Sequence, residues 1–392
     1  MHAVIQGTPS DVTTITVNSP QFAEGTWKFS AELTGAFAYR AKSLHYNIEI
    51  TIYSDDAFHS QDPEELAKNP TKIFHNHKEP ISKVPKTGLG SSAALVSVVT
   101  AAILSFYKPE LTKDFTVNRT SLDRIHFLAQ LAHCAAQKKI GSGFDVASAV
   151  FGSIIYRRFV ASTLGDLTSF ENYEGLEYAK LVQTLIDSTD WGLRTDPIGL
   201  PAGFSLLMGD ISGGSETPKM VSTVLQWRKE NPERSLEVWT DLNNANMELV
   251  SLLDNFTKLY ESSPELYNAM VEKAKGASGA ELSNSDGLLK ELANSFTNIR
   301  KGLKTMTLES GAPIEPDSQT AILDESTKLT GVIGGVVPGA GGYDAVCLLV
   351  ATDSVESIKK QAATNPVLQH VNWLKLHQEN VGLTCESLEQ YV

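Results

Sequence analysis

The chain has 392 residues, of which 42% are hydrophobic and 20% are charged, a composition typical of globular proteins and long enough for two domains. A formal net charge of −13 and the lack of any Lys/Arg-rich run argue against nucleic-acid or anionic-membrane partners. The three cysteines, Cys134, Cys347 and Cys385, are too scattered to predict a disulfide framework or a zinc site. Since the first residues resemble neither a signal peptide nor a transit peptide, we expect a cytoplasmic protein.

The first predicted elements mix strands and helices. Residues Leu44–Tyr53 alternate apolar and polar side chains, which predicts a strand with one face in water. A polar stretch with several prolines follows and predicts a long surface connection. Residues Ser121–Gln137 place apolar side chains at helical spacing, and the sequence KKIGSGFD then interrupts the pattern. The segment VASAVFGSIIYRRF resumes as a short helix and a strand, so we expect one compact unit of mixed helix and strand.

The rest of the chain is predicted to be helical in its middle and mixed at its end. An apolar run, Gly203–Ile211, predicts a strand, and Pro218 behind Thr217 as N-cap marks a helix start. The later predicted elements are helices over residues 242–259, 264–275 and 288–306, a helix in SQTAILDESTKL, strands in GVIGGVV and AVCLLVA, a helix over 355–363 and an edge strand in VNWLKL. We place a domain boundary near Leu200.

The stretch KVPKTGLGSSAALVSVVTAAILSFYK is uncharged from Thr87 to Tyr107 and is therefore long enough to be tested as a membrane span. Its first third is rich in glycine, serine and threonine, which argues against a span and favours a glycine-rich turn that opens onto a buried helix. Such a turn presents free N–H groups at the positive end of the helix, an arrangement that binds phosphate. A tight turn that only caps a core helix explains the same residues equally well. The spacing matches neither the dinucleotide-binding fingerprint nor the Walker phosphate loop.

Four sequence blocks resemble one family. The turn PKTGLGSSAAL resembles the second motif of the GHMP kinase superfamily, which comprises small-molecule kinases for galactose, homoserine, mevalonate and phosphomevalonate. The other blocks are similar to the fungal-type phosphomevalonate kinases within it. They are AHCAAQKKIGSGFDVASAVFGSIIYRRF (Ala132–Phe159), MGDISGGSETPKMV (Met208–Val221), and SGAPIEPDSQTAILDE with VVPGAGGYDAV (Ser310–Val346). The resemblance extends over nearly the whole chain.

The resemblance implies a two-domain α+β fold. Residues 1–200 would form a GHMP kinase N-terminal domain, similar to ribosomal S5 domain 2, and residues 201–392 a ferredoxin-like C-terminal domain with helical insertions. It also implies ATP-dependent phosphorylation of 5-phosphomevalonate to 5-diphosphomevalonate, with ATP and Mg²⁺ as cofactors and no protein partner. Because the attacking phosphate oxygen is already anionic, we expect catalysis to depend on positioning and on cations and N–H groups around the phosphates rather than on a general base.

The resemblance further implies which residues form the site. Asp145 matches the superfamily's active-site aspartate, and we assign it to orienting cations near the acceptor, although a helix cap is the more natural reading of its sequence alone. Ser92 is the expected Mg²⁺ ligand. The turn PGAGGYDA resembles the superfamily's third motif and is expected near the nucleotide phosphates. The expected ATP-binding residues are Lys86, Gly88, Leu89, Gly90, Ser91, Ser92, Ala93, Gly339, Gly341 and Gly342.

The segment SGGSETPK repeats the logic of the first turn, because glycines and hydroxyl side chains precede a helix start. We expect it to bind 5-phosphomevalonate through Ser215, Thr217 and Lys219, while an ordinary capped helix is the alternative. In YRRF, one of Arg157 and Arg158 is expected to reach an acceptor phosphate, because neighbouring residues on a strand face opposite ways. The sequence does not decide which.

Two features depart from the superfamily pattern. Some members take a second Mg²⁺ ligand from an acidic residue on the helix before the aspartate, whereas this helix carries His133 and Gln137 one turn apart. Either Gln137 is a weak ligand or the metal depends on ATP, water and Ser92. The first motif, of PGK type, should precede a segment resembling MHAV, so we expect a few dozen residues to be missing before Met1.

Two alternative functions stay open on the sequence. A mevalonate diphosphate decarboxylase shares the glycine-serine turn, although the GSGFDVASAVFGSIIYRRF block resembles it less, and released carbon dioxide would identify it. A non-catalytic metabolite-binding relative would keep the ligand contacts without turnover. The presence of Ser92 and Asp145 argues against that alternative, and the absent first motif argues for it.

Overall fold

The structure, a computed structural model, describes residues 1–10, 13–30, 46–59, 68, 72, 74–84, 89–112, 118–211, 217–374, 376 and 378–391. These residues form two compact units, one of residues 1–198 with 379–392 and the other of residues 199–378. The sequence prediction placed residues 379–392 in the second domain, whereas the structure places them in the first unit. The reason is a set of hydrogen bonds, including the one from Leu383 N to Val150 O (3.1 Å) and the one from Ser153 Oγ to Glu379 O (2.9 Å).

The first unit contains a four-stranded sheet. Its strands are β1 (His2–Pro9), β2 (Thr14–Asn18), β3 (Thr26–Ser30) and β4 (Tyr46–Tyr53), in the order β1-β4-β2-β3. Strand β4 confirms the predicted strand, whose first two residues lie outside the described part. Ile48, Ile50 and Ile52 on one face of β4 are buried, while the residues between them are more exposed, as the alternating pattern requires.

In the part of the first unit that the structure describes, α-helices and a two-stranded ribbon accompany this sheet. They are α1 (Ser91–Tyr107), α2 (Pro109–Thr112), α3 (Arg119–Gln137), α4 (Phe144–Phe151), α5 (Gly175–Ser188), and the antiparallel strands β5 (Ile154–Arg157) and β6 (Arg194–Pro197). Helix α1 is the uncharged segment of the sequence, and it packs on the sheet through Ile103 and on the other helices through Leu104. It is therefore a core helix. In the described part of the chain, helices that combine the length and the apolar character needed to span a bilayer do not occur.

The second unit is built on a second four-stranded sheet, in the order β10-β7-β9-β8, with antiparallel neighbours throughout. Its elements are β7 (Phe204–Asp210), α6 (Thr217–Glu230), α7 (Pro232–Ser262), α8 (Pro264–Gly276), α9 (Gly279–Leu282), α10 (Leu288–Ser310), α11 (Asp317–Ser326), β8 (Val332–Val336), β9 (Ala345–Ala351), α12 (Val355–Thr364) and β10 (Asn372–Trp373). The predicted helical middle is confirmed, and β10 lies at the sheet edge as predicted but is only 2 residues long.

Candidate active site

The glycine-serine turn ends at the start of α1. Gly90 is the N-cap residue and has φ +75°, a left-handed conformation that favours glycine. The first hydrogen bond of the helix runs from Ala94 N to Gly90 O (3.0 Å), so the N–H groups of Ser91, Ser92 and Ala93 have no partner within the helix. Among the described residues no side chain caps this end. It is a helix N-terminus with the electrostatics of an anion site.

The residues of this turn differ in exposure. Leu89, Gly90 and Ser91 are half-buried, Ala93 is fully buried, and the side chain of Ser92 lies at the surface. Ser91 and Ser92 carry the hydroxyl groups of the first turn, and Ser92 is the more exposed residue of the two. Lys86 and Gly88, which were predicted to bind ATP, lie outside the described residues, so their roles stay predictions.

Asp145 lies next to the turn. It is in the first turn of α4, whose N-cap is Gly143 with φ +81°, and its Oδ1 accepts a hydrogen bond from Val146 N at 3.0 Å. A Cβ atom added to Gly90 would lie 3.8 Å from Cβ of Asp145. The structure thus brings the second motif and the aspartate together, and it makes Gly143 rather than Asp145 the helix cap. Asp145 is half-buried, which leaves part of its carboxylate accessible.

His133 and Gln137 extend this group from helix α3. The Nε2 atom of His133 lies 3.2 Å from Ser92 Oγ and 2.8 Å from Gln137 Nε2. The side chain is largely buried, with 8% of the residue exposed. Burial lowers the pKa of His133, while the charge of Asp145 acts in the opposite direction and that of Lys139 adds to the lowering.

A small hydrophobic cluster holds the three helices together beneath these polar groups. Ala93 of α1, Ala129 of α3 and Val146 of α4 are all 0% exposed and pack against each other. Two of the three residues are alanines, whose small side chains let the helix backbones approach closely. Each cluster residue is adjacent to a site residue or lies one turn from one, so this packing sets the spacing of Ser92, His133 and Asp145.

Side chains of β5 and of the residue directly after it hold the loop between α3 and α4. Arg158 Nη2 donates to the carbonyl oxygens of Ile140 (3.2 Å) and Gly141 (2.8 Å), and Tyr156 Oη donates to Ser142 O (2.7 Å). Burial raises the pKa of Tyr156 to about 12, so its hydroxyl remains a donor at neutral pH. The loop that precedes Asp145 is therefore positioned by donors that follow it in the chain.

This arrangement separates the two arginines of YRRF. Arg157 pairs with Arg194 across the ribbon, on the face opposite to that of Tyr156. Arg158 lies beyond the end of β5 and contacts the Asp145 loop. Of the two, Arg158 is the one that the structure associates with the site, through the loop backbone.

The glycine turn of the second unit connects β8 to β9. Gly339, Gly341 and Gly342 have φ values of +65°, +83° and +108°. Gly342 N donates to Ile314 O (3.0 Å), and a Cβ atom on Gly341 would lie 2.4 Å from the same oxygen, whereas one on Gly339 would meet nothing within 4 Å. Gly341 is thus required by close packing, and Gly339 is an open, exposed position.

The segment predicted to bind the acceptor follows β7, and β7 ends at the end of the sheet where the glycine turn leads into β9. Asp210, the last residue of β7, is paired with Ala345, the first residue of β9, and Ile211 N donates to Asp344 O (2.8 Å). Thr217 and Lys219 are exposed in the first turn of α6. Ser215 lies outside the described residues. The structure therefore brings Thr217 and Lys219 together on one helix end, with the glycine turn leaving the sheet at the adjacent strand.

Comparison with known proteins identifies the family. Residues 66–153 match the family described as GHMP kinases N terminal domain. The phosphomevalonate kinase of Candida albicans is 40% identical over 417 aligned residues, which cover 100% of this chain and 92% of that protein. The phosphomevalonate kinase of Gibberella zeae is 32% identical, with 97% of this chain and 87% of that protein covered.

The chain belongs to the phosphomevalonate kinase family. A solved structure, the phosphomevalonate kinase of Streptococcus pneumoniae in complex with phosphomevalonate and AMPPNP, shares the fold with a TM-score of 0.57 at 17% identity, covering 95% of this chain and 88% of that one. The recognition of a GHMP kinase fold from four sequence blocks is thereby confirmed, as is the assignment to phosphomevalonate kinases.

Two site features of this phosphomevalonate kinase family member were not assigned by sequence reasoning. The contact between Ser92 and His133 was missed, although the spacing of His133 and Gln137 on one helix was noted as a place where a carboxylate is absent. The use of Arg158 to hold the loop was also missed, because a side chain that contacts a loop carbonyl oxygen leaves no local signature in the sequence. A basic residue directly after a strand that follows a glycine-rich loop is the signal that could have suggested it.

The donor set of this phosphomevalonate kinase family site fits a metal carried by a nucleotide rather than a metal held by protein alone. Mg²⁺ prefers oxygen ligands and commonly binds to one or two protein oxygens together with substrate phosphates. Ser92 Oγ and the Asp145 carboxylate are oxygens near the α1 N-terminus, while no group of three or more His, Cys, Asp or Glu side chains in the described part of the chain could hold a metal. These two oxygens fit an ion whose other ligands are substrate phosphate oxygens and water.

Proposed function

We propose that this protein transfers the γ-phosphoryl group of ATP to the phosphate of 5-phosphomevalonate, giving ADP and 5-diphosphomevalonate in the mevalonate pathway of isoprenoid and sterol precursor synthesis. The observation that carries the proposal is the relationship to phosphomevalonate kinases along the entire chain, at 40% identity in the Candida albicans protein. The adjacency of the glycine-serine turn and Asp145 supports it, because both kinase motifs meet in one place.

The chemistry needs little general-base catalysis. A phosphate oxygen of the acceptor attacks the γ-phosphorus, the bond to the bridging oxygen of ADP breaks, and the acceptor oxygen is already anionic at neutral pH. The barrier arises from bringing two polyanions together, so dipoles and cations around the oxygens contribute most. The N–H groups at the start of α1 provide such dipoles, and the half-buried carboxylate of Asp145 orients nearby cations.

The site residues take the following roles in this proposal. When bound with ATP, Mg²⁺ would supply positive charge that screens the phosphates. Ser92 offers its exposed hydroxyl as the protein ligand to that metal. We assign the ATP phosphates to the glycine-serine turn, with Lys86, Gly88, Leu89, Gly90, Ser91 and Ala93, while nucleotide contacts of Gly339, Gly341 and Gly342 stay a prediction of the resemblance. Ser215, Thr217 and Lys219 bind the acceptor.

We also propose that the enzyme works in the cytoplasm and acts without a nucleic-acid, membrane or protein partner. The strongly acidic composition supports this, as do cysteines too few and too dispersed for a disulfide framework. Microscopy of a fluorescently tagged full chain tests the location, and organelle-confined fluorescence would contradict it.

An ADP-release assay tests the reaction. The full chain, with Mg²⁺ and ATP, should release ADP with 5-phosphomevalonate and not with mevalonate. Incubation with 5-diphosphomevalonate should release no carbon dioxide, whereas carbon dioxide would indicate a decarboxylase. Binding of 5-phosphomevalonate without any ADP release would instead indicate a non-catalytic relative.

A pair of variants tests the assignment of the two anion sites. Ser92→Ala should raise the KM for Mg-ATP, because it removes a proposed metal ligand, and should leave the KM for 5-phosphomevalonate nearly unchanged. The double variant Ser215→Ala/Thr217→Ala should do the opposite, because it removes two hydroxyl donors from the acceptor segment. Steady-state kinetics with each substrate varied in turn measures both constants. If the double variant alters only the KM for Mg-ATP, the two sites are assigned the wrong way round.

A further inference from the structure

The contact between Ser92 and His133 constrains the direction of the Ser92 hydroxyl. Gln137 Nε2 is an amide nitrogen that can only donate, and it lies 2.8 Å from His133 Nε2, so the ring nitrogen accepts. Ser92 Oγ lies 3.2 Å from the same nitrogen. A hydrogen bond between them therefore requires Ser92 to be the donor. His133 Nε2 has a single lone pair, which the two donors share. In the bond from Ser92 the hydroxyl hydrogen points toward α3, so the oxygen lone pairs point away from His133.

We infer that His133, oriented by Gln137, is a positioning residue that turns the lone pairs of Ser92 Oγ toward the metal-nucleotide complex. This inference rests on the proposed role of Ser92 as a Mg²⁺ ligand. A hydroxyl that rotates freely offers its lone pairs to the metal only part of the time, whereas a hydroxyl that donates to a fixed acceptor is oriented before the ligand arrives. A supporting residue of this kind acts on the metal without binding it.

The geometry around His133 favours this role over core packing. A histidine that serves only to fill the core needs no polar neighbour at the ligand side, and the same helix provides such a case. His126 is fully buried among aromatic rings, and neither of its nitrogens has a hydrogen-bond partner in the described structure. His133 instead has Nε2 within hydrogen-bond distance of both Gln137 and the exposed Ser92.

A double-mutant cycle on the full chain tests the inference. The variants are Ser92→Ala, His133→Phe, and both together. His133→Gln is the conservative variant, because its amide oxygen can accept a hydrogen bond near the position of Nε2. His126→Phe is the matched control, since it makes the same change to a buried histidine of the same helix. Isothermal titration calorimetry with AMPPNP in Mg²⁺, and again with AMPPNP in EDTA, measures the affinities, and thermal melting reports folding.

We expect His133→Phe to weaken Mg-AMPPNP binding by roughly fivefold, the factor that corresponds to one hydrogen bond of ordinary net strength. Binding of AMPPNP in EDTA should change by less than about twofold, because no metal is present to bind the oriented oxygen of Ser92. His133→Gln should recover most of the affinity, and His126→Phe should bind like the wild type. In the Ser92→Ala background, His133→Phe should have no further effect, since the group through which it acts is gone.

The cycle separates failure of this inference from failure of the proposed function. If Ser92→Ala weakens Mg-AMPPNP binding but His133→Phe does not, or if the two effects simply add, His133 does not act through Ser92. If Ser92→Ala itself leaves binding unchanged, the metal-ligand role of Ser92 fails, and the positioning role of His133 is overturned with it. If His133→Phe weakens AMPPNP binding equally with Mg²⁺ and with EDTA, and His126→Phe weakens it by the same factor, His133 is only a packing residue.

Discussion

The two units hold their candidate site residues by different means. In the first unit, side chains do this: His133 contacts Ser92, and Arg158 and Tyr156 bond to the loop before Asp145. In the second unit, the glycine turn is held by its backbone, through the bond from Gly342 N to Ile314 O. The first site should therefore respond to changes of functional groups, and the second mainly to the addition of atoms where none fit.

The largest expected effect is the loss of turnover when the carboxylate of Asp145 is removed from the candidate site of the first unit. Asp145→Asn keeps the size of the side chain and a group able to accept from Val146 N, but it removes the charge that orients cations. We expect turnover to fall by roughly a hundredfold or more, the size of losing one electrostatic element of a phosphoryl-transfer site. Turnover is measured by ADP release, and melting temperature serves as the folding control. Nearly normal turnover would leave Asp145 with a purely structural role.

In the second unit, the free energy of unfolding should depend on where an added methyl group lies, and two glycines of the same turn test this. Gly339→Ala adds a methyl group where nothing lies within 4 Å, so only the left-handed backbone is strained, at about 1–2 kcal/mol. Gly341→Ala carries the same backbone strain and also places Cβ 2.4 Å from Ile314 O. Its free energy of unfolding should therefore fall by roughly another 1 kcal/mol or more. Denaturant unfolding of the two variants compares them directly. Equal losses would show that the turn can shift away from Ile314.

Among the buried histidines of the first unit, His126 should make that unit sensitive to acid. Burial, aided by the charge of Arg119, lowers the pKa of His126 to about 3, whereas the unfolded chain has the ordinary value near 6.5. Between these values the unfolded state binds a proton that the folded state does not, so stability falls as pH falls through this window. The slope is about 1.4 kcal/mol per pH unit for one group.

The variant His126→Phe isolates this contribution. Its free energy of unfolding should depend less on pH between about 6 and 4 than that of the wild type, whatever constant offset the larger ring introduces. Urea unfolding at several pH values provides the two slopes. Equal slopes would mean that the pKa of His126 is the same in the folded and unfolded states.

The smallest effect is expected from a single donor to the loop of the first unit. Tyr156→Phe removes the hydrogen bond from Tyr156 Oη to Ser142 O. Because Ser142 is exposed and water can replace the lost donor, the cost should be only about 1 kcal/mol of stability. Turnover should fall much less than in Asp145→Asn. A loss of activity as large as that of Asp145→Asn would mean that the loop, rather than the charge, limits the reaction.

The sequence by itself determined the elements that depend on local patterns. The uncharged run to Tyr107 predicted helix α1, the alternation of isoleucines predicted β4, and the periodic leucines predicted α10, because side-chain periodicity is set by the geometry of each element alone. It also determined the family, since the glycine turns and the aspartate block are contiguous motifs. Strands β1 to β3 were not predicted, because half-exposed strands with weak alternation gain their stability from their neighbours in the sheet.

Only the tertiary structure decided how the site is assembled. The approach of Gly90 to Asp145 and of Ser92 to His133 depends on the packing of α1, α3 and α4 around Ala93, Ala129 and Val146. That Arg158 rather than Arg157 contacts the loop depends on where β5 ends. The same is true of Gly341, whose need for glycine comes from a carbonyl oxygen of a distant loop. These contacts join residues far apart in the chain, and the distances that make them possible exist only once the buried surfaces have fixed the helices and strands in place.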